Sequence, residues 1–166
     1  MLWPEKNNLI RIGTLLNAAD APRLIPQIAG YGFESVELTF WQTTGSLNLQ
    51  ELARQVREAI GDRDITVSGL GIFGNVLTGH GKNADSLASG ERCIDAAAAF
   101  GTDLVAGFTG RLVDQPIDAS IPRFKEVFGE LSRRAADRGV RIAFENCDMG
   151  GTWVCGDWNI AHNPTA

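Results

Sequence analysis

The sequence predicts an α/β fold of the (β/α)8 barrel type, with only about the first five strands and four helices present. Three observations predict it. Short apolar runs alternate with stretches of helical period along the chain. The connections entering the runs are short (Gly32-Phe33, Gly101-Thr102, Gly139), whereas those leaving them are long and rich in Gly, Asn, Thr and Trp. The length of 166 residues holds four or five β/α units, whereas eight need about 250 residues. The chain therefore reads as one domain, residues 1–166, forming the N-terminal portion of a barrel that is incomplete as it stands.

Each element follows from its own pattern. The run at 9–16 is a first strand. Residues 22–31 make a short helix, with Asp20 as N-cap and Gly30 and Gly32 at its end. Residues 34–40 are a second strand. In the helix over 48–60, Leu49, Leu52, Val56, Ala59 and Ile60 share one face. A third strand covers 65–73, and a helix over 85–100 is closed by Gly101. A fourth strand covers 103–108. The helix over 120–138 has Pro122 in its first turn and Gly139 past its end. Residues 140–145 are the fifth strand. Such alternation implies parallel strands joined by right-handed crossovers. Asn17, Asn75 and Glu145 all follow strand ends and so belong to one rim.

Composition excludes several function classes. The net charge is −5, and no basic stripe of the kind that phosphate contacts require is present. Arg54, Arg57, Arg63, Arg133, Arg134 and Arg138 alternate with acids on predicted helices and read as solvated faces. No stretch approaches the roughly 20 apolar residues of a membrane span, and Met1 to Lys6 carries no signal-peptide apolar region. Neither nucleic acid nor membrane is expected as a partner. Cys93, Cys147 and Cys155 are odd in number and scattered, which points to free thiols in a reducing, cytoplasmic setting.

Among chemistry-bearing residues, Glu145 stands out. It ends an apolar strand and opens the polar loop Asn146-Cys147-Asp148-Met149-Gly150-Gly151. A carboxylate there is where a β/α barrel keeps its chemistry, and Asn146 and Asp148 add oxygen atoms suited to a hard cation. The alternative is a structural pairing with an arginine. Glu37 interrupts an otherwise apolar strand, so it points into the barrel mouth or forms a buried ion pair. The Gly69-x-Gly71-x-x-Gly74 match lies inside a third strand and is followed by a loop, not a helix. That context fits close backbone packing better than nucleotide binding. His80 follows the third strand on the functional side. His162 with Cys147 and Cys155 fits no compact zinc spacing. Trp41, Trp153 and Trp158 fall in loops after strands, where they stack on a sugar ring or anchor the loops. No serine sits in a G-x-S-x-G turn.

Several segments together resemble the sugar phosphate isomerase/epimerase family of the xylose-isomerase-like TIM-barrel superfamily. They are Arg11-Ile12-Gly13, Gly30-Tyr31-Gly32-Phe33-Glu34-Ser35-Val36-Glu37-Leu38, Val67-Ser68-Gly69-Leu70-Gly71 and Ile142-Ala143-Phe144-Glu145-Asn146. The resemblance implies a divalent metal (Mn, Mg, Co or Zn) at the barrel mouth. Glu145 is then its first ligand and one acid/base of a pair, and the remaining ligands have no counterpart in this sequence. It also implies a small sugar or polyol substrate, with Glu37 resembling the family's strand-two glutamate near it; Asn75, His80, Asn146 and Trp153, which follow strands on the functional side, are the further candidates to bind it. The related apurinic endonucleases use histidines where Asn75 and Phe108 stand, so a multi-zinc nuclease is not expected. Asn163-Pro164 resembles the start of a fifth barrel helix.

Two functions are carried forward. One is a metal-dependent isomerase or epimerase moving a proton next to a carbonyl. The other is a non-catalytic partial-barrel module for binding or assembly. Five strands leave two open edges, at the first and fifth, so a homo-oligomer is expected.

Overall fold

A computed structural model describes residues 10–161. Leu9, His162 and the Asn163-Pro164 start of a fifth helix lie outside the described residues.

Five strands, Gly13–Asn17 (β1), Ser35–Thr39 (β2), Thr66–Ile72 (β3), Leu104–Gly107 (β4) and Arg141–Phe144 (β5), form one sheet. Every strand is parallel to its neighbour, and the spatial order is the sequence order. Four helices cross between them: Ala21–Ala29 (α1), Leu49–Ile60 (α2), Ser86–Phe100 (α3) and Ile117–Arg138 (α4). They pack in sequence, α1 on α2, α2 on α3 and α3 on α4. A single helix layer outside a sheet whose strands never change order is barrel geometry; a doubly wound fold reverses direction partway and puts helices on both faces.

The pleat sorts the strand residues. Val36 and Leu38 of β2, Leu70 and Ile72 of β3 and Val105 of β4 are buried in the core with Val56, Ile94, Ala97 and Leu131 of the helices. Positions between them face the other way, into the barrel interior. That side is open: Leu15, between the helix-facing positions of β1, is 61% exposed. The helix arginines lie on solvated faces as predicted. Arg54 pairs with Glu51 and Glu58 along α2, and Arg134 and Arg138 reach from α4 to Asp95 of α3. Among the described residues no helix is long and apolar enough to cross a membrane.

Local chemistry moved some boundaries. β1 begins at Gly13, not at residue 9, because the Ile12 N–H donates to the Glu34 carboxylate (3.0 Å). Asp20 makes no cap bond. Asn17 caps instead, accepting from Ala19 N–H (3.0 Å) at a 3-10 turn over Ala18–Asp20 that leads into α1. Asn48 caps α2 through Gln50 and Glu51. α4 starts before residue 120, behind an extended Pro116, so Pro122 falls inside the helix and not in its first turn. A proline there forfeits one intrahelical hydrogen bond.

Candidate active site at the barrel mouth

Strand register builds the site in rows. Asn17, Thr39, Gly71, Ala106 and Ala143 are successive partners across all five strands. Three of them are Gly or Ala, which leaves space on the interior side. One row nearer the rim stand Trp41, Phe73, Phe108 and Glu145. The resulting cleft, about 470 Å³, is lined by Asn17, Thr39, Trp41, Phe73, Phe108, Glu145 and Trp158 among others. Phe73 packs on Trp41 (ring centroids 6.4 Å) and edge-on to Phe108 (5.3 Å), which gives the cleft an aromatic wall.

Glu145 continues the ladder one residue beyond β5, its N–H donating to Gly107 O at 3.0 Å. Its side chain is exposed and lines the cleft. The segment that follows is pinned by Asn159, which is only 1% exposed. Asn159 Nδ2 donates to the carbonyls of Glu145 (2.9 Å) and Cys147 (3.0 Å). Its Oδ1 accepts from the N–H (3.2 Å) and hydroxyl of Thr109, just past β4. The ends of β4 and β5 are thus tied by one buried amide.

Glu37 projects into the interior and makes no ion pair among the described residues; it lines a separate opening with Gly13, Thr14, Leu15 and Ser68 and not the mouth cleft. Its Oε1 is enclosed without a hydrogen-bond partner. A Cβ on Gly71 would sit 2.7 Å from that oxygen, so the glycine makes room for the carboxyl. Burial, and secondarily the charge of Glu145, push the Glu37 carboxyl above its ordinary range. Gly74 is equally tight, because a Cβ there would meet Ser86 Oγ of α3 at 2.0 Å. The G-x-G-x-x-G match is therefore a packing feature.

The other candidates take different places. Asn75 follows β3 but is fully buried. Its Nδ2 donates to the carbonyls of Arg111 and Asp157 (both 2.6 Å), and its Oδ1 accepts from the N–H groups of Leu77 (3.1 Å) and Arg111 (3.0 Å). With its amide saturated, Asn75 braces the rim loops and does not face the cleft. His80 and Asn146 are exposed and do not line the cleft. Trp153 does not line it either; its carbonyl accepts from Ile117 N–H at 3.0 Å. Cys147, Trp41 and Trp158 do line it. Cys93 is buried in α3, and burial pushes its thiol up to about 12.

Sequence reasoning missed Thr39, Arg111 and Asn159. Arg111 is fully buried and donates to the carbonyls of Gln115 (2.8 Å) and Thr152 (2.6 Å), joining two rim loops. No periodicity marks a loop residue whose partners lie 4 and 41 positions away; an arginine beside Gly110 in the loop after β4 was the only signal available.

Among the described residues no three His, Cys, Asp or Glu side chains converge on a cation position. Asp148 Oδ1 accepts from Gly150 N–H (3.1 Å), within its own loop turn. A hard cation wants about six oxygen ligands, and no cluster of that kind surrounds Glu145 among the described residues.

Comparison with known proteins agrees with this geometry. A family described as Xylose isomerase-like TIM barrel matches residues 25–163. The chain is similar in structure to L-ribulose 3-epimerase (TM-score 0.65, 15% identity, covering 89% of this chain and 53% of that one). It is similar to a xylose isomerase-like TIM barrel protein from Mycobacterium smegmatis in complex with magnesium (TM-score 0.63, 18% identity, covering 82% and 55%). It is also similar to D-psicose 3-epimerase in the presence of D-fructose (TM-score 0.59, 15% identity, covering 88% and 55%). At these identities the likeness shows the fold. The chain spans just over half the length of these structures. No curated protein sequence matches it.

Proposed function

Because the chain belongs to the Xylose isomerase-like TIM barrel family, we propose that the whole protein is a divalent-metal-dependent isomerase or epimerase of a small sugar or polyol. One observation carries this reading: Glu145 stands at the C-terminal rim over a cleft with aromatic walls and a floor of small residues. A carboxylate in that position can take a proton from a carbon next to a carbonyl and return one. Where the proton returns separates the outcomes: to the opposite face of the same carbon for an epimerase, to its neighbour for an isomerase. A divalent cation bound there supplies polarisation of the substrate oxygens, with Glu145 as one ligand and the others from outside the described residues. Trp41 and Phe73 cover the apolar face of a sugar, and the Asn159 clamp holds the Glu145 main chain in place. The magnesium of one relative and the D-fructose of another support the cation and the substrate class. The free thiols Cys93, Cys147 and Cys155 support a cytoplasmic setting.

The test is solvent exchange. The whole natural polypeptide, supplied with Mn²⁺ or Mg²⁺ in D2O, is expected to place deuterium on C3 or C1 of ketohexoses such as D-fructose and D-psicose, read by NMR. Glu145→Gln should cut the exchange by about a thousandfold or more, the loss expected when a positioned base is removed together with a ligand. Exchange that survives the substitution would remove Glu145 from the chemistry. The second reading is a partial-barrel binding or assembly module. It predicts stable complex formation with no exchange on any ketose.

A further inference from the structure

Three non-glycine residues among those described have a positive φ: Trp41 (53°), Asp114 (56°) and Met149 (47°). A side chain with a Cβ is rarely found there, and a bulky one is an outlier. Two of the three, Trp41 and Met149, line the mouth cleft. Neither conformation is slack. The Trp41 carbonyl accepts from Phe73 N–H (2.6 Å), and on its other side Phe40 N–H donates to Gly71 O (2.9 Å), so both flanks are tied to β3 and its extension. The turn that follows is tied to α3: Ser86 Oγ donates to Gln42 O (2.8 Å), and Thr44 N–H donates to Ser89 Oγ (3.0 Å). Met149 and Gly150 are the central pair of a turn closed by Gly151 N–H on Asp148 O (2.7 Å), and both have a positive φ. That kind of turn is ordinarily filled by Gly, Asn or Asp. At both places a large apolar side chain stands where the backbone favours glycine. Burial does not offset this, because Trp41 is 58% exposed and Met149 43%. Loop anchoring, the alternative for Trp41, needs a buried ring and does not fit. Strain held in place beside a cleft marks a functional position.

From these observations we propose that Trp41 and Met149 form an apolar entry to the mouth that takes a hydrophobic substituent on the sugar, so that the substrate is an uncharged sugar carrying an aryl or alkyl group and not a sugar phosphate. The proposal rests on the reading of this cleft as a sugar site. The two residues come from different loops, those after β2 and β5, so the substituent is met by an indole from one and a thioether from the other. The indole is rigid, and the unbranched methionine adapts to groups of different shape. Phe73 is 7% exposed and packs against Trp41, so the apolar area left open on that side is the indole's. Because the backbone carrying both side chains is fixed in the free protein, it needs no reordering when the ligand arrives. Charge points the same way. Of the described lining residues only Glu145 and Cys147 can ionise, and both become negative. A phosphate placed here would face Glu145, with no lysine, arginine or histidine among those lining residues to meet it. A neutral sugar held at the entry by its substituent presents its hydroxyl-bearing carbons to the carboxylate.

The experiment is an NMR titration of the whole natural polypeptide with phenyl β-D-glucopyranoside, methyl β-D-glucopyranoside and D-glucose 6-phosphate, read at the Trp41 indole N–H and the Met149 methyl group. Saturable shifts at both are expected with the phenyl glycoside, at an affinity about tenfold above that of the methyl glycoside, the gain from about five further carbons in apolar contact. The phosphate ester is expected to give no saturable shift at either. Trp41→Gly and Met149→Gly should each bring the two glycosides within about threefold of one another. Met149→Gly should melt no lower than the parent, since its turn favours glycine and the side chain is exposed; a side chain that merely held the loop would be missed. Should Trp41→Gly fail to fold, Trp41→Asn, which tolerates a positive φ, takes its place, and Met149→Gly decides if neither folds. Equal binding of the two glycosides, no saturable shift with the phenyl glycoside, a phosphate ester that seats at both residues, variants that keep the parent's preference, or a lower melting temperature for Met149→Gly would each overturn the entry. The ketose exchange assay separates the two readings. If the phenyl glycoside seats while no ketose exchanges its proton, the isomerase reading falls and the entry stands. If ketoses exchange while Trp41 and Met149 do not respond, the entry falls alone.

Discussion

Glu37 shows how a single residue can be anomalous in both sequence and structure. Its strand is otherwise apolar, and its carboxyl is pushed above the ordinary range by burial first and by Glu145 second. A group whose folded pKa is raised binds its proton more tightly in the folded state. Its stabilising contribution is complete below the unfolded value of 4.5 and is lost as pH rises through the folded value. Above the unfolded value, Glu37 therefore contributes progressively less to the fold as pH rises. Glu37→Gln should raise the melting temperature at pH 7 and leave it unchanged near pH 4; thermal denaturation at the two pH values checks this, and an equal shift at both would refute it. The anomaly of Glu37 was legible because a charge inside an apolar run is rare. Thr39 was not, since threonine is an ordinary strand residue and only its missing partner distinguishes it. Asn75 was legible as a polar residue after a strand, but its saturated amide depends on Arg111 and Asp157, whose proximity only the fold creates.

At the level of elements, alternation revealed the five strands and four α-helices, while their ends were set by side chains reaching back to the main chain. β1 yields its first residues to the Glu34 carboxylate, and α4 takes its start from Pro116. The rim loops are the least legible, because their order comes from buried amides and a guanidinium acting over long separations. Gly110 and Asn159 even form an isolated parallel bridge, which carries strand-like pairing past the end of the sheet. Asn159→Ala should unmatch the Glu145 and Cys147 carbonyls and the Thr109 donors together. The expected cost is about 1–3 kcal/mol for stranded buried groups, measured by chemical denaturation. Faster hydrogen exchange at Ile160, whose N–H is held by Gly110 O (3.1 Å) and Thr109 Oγ1 (3.1 Å), should accompany it. Unchanged stability and exchange would show that the loop holds itself.

For the molecule as a whole, the barrel class followed from short entering loops, long leaving loops and strict alternation, and the sheet keeps that order. A cation site was not legible, and among the described residues no group of three His, Cys, Asp or Glu side chains gathers at Glu145. Among the described residues β1 and β5 each pair on one side only, and Leu15 and Phe144 are exposed beside them, at 61% and 42%. Unprotected edges with apolar neighbours are templates for further pairing. The 166-residue polypeptide, produced alone, is expected to self-associate in light scattering; a cooperatively melting monomer would contradict this. The same topology has a consequence for biosynthesis. Each strand pairs with the one translated immediately before it, so the sheet can grow outward as the ribosome delivers the chain, without waiting for a distant partner. The newest edge is always the sticky one. At the stage represented by β5, that edge carries Glu145, so the nascent chain passes through a state in which its candidate catalytic carboxylate borders the surface that chaperones are most drawn to cover.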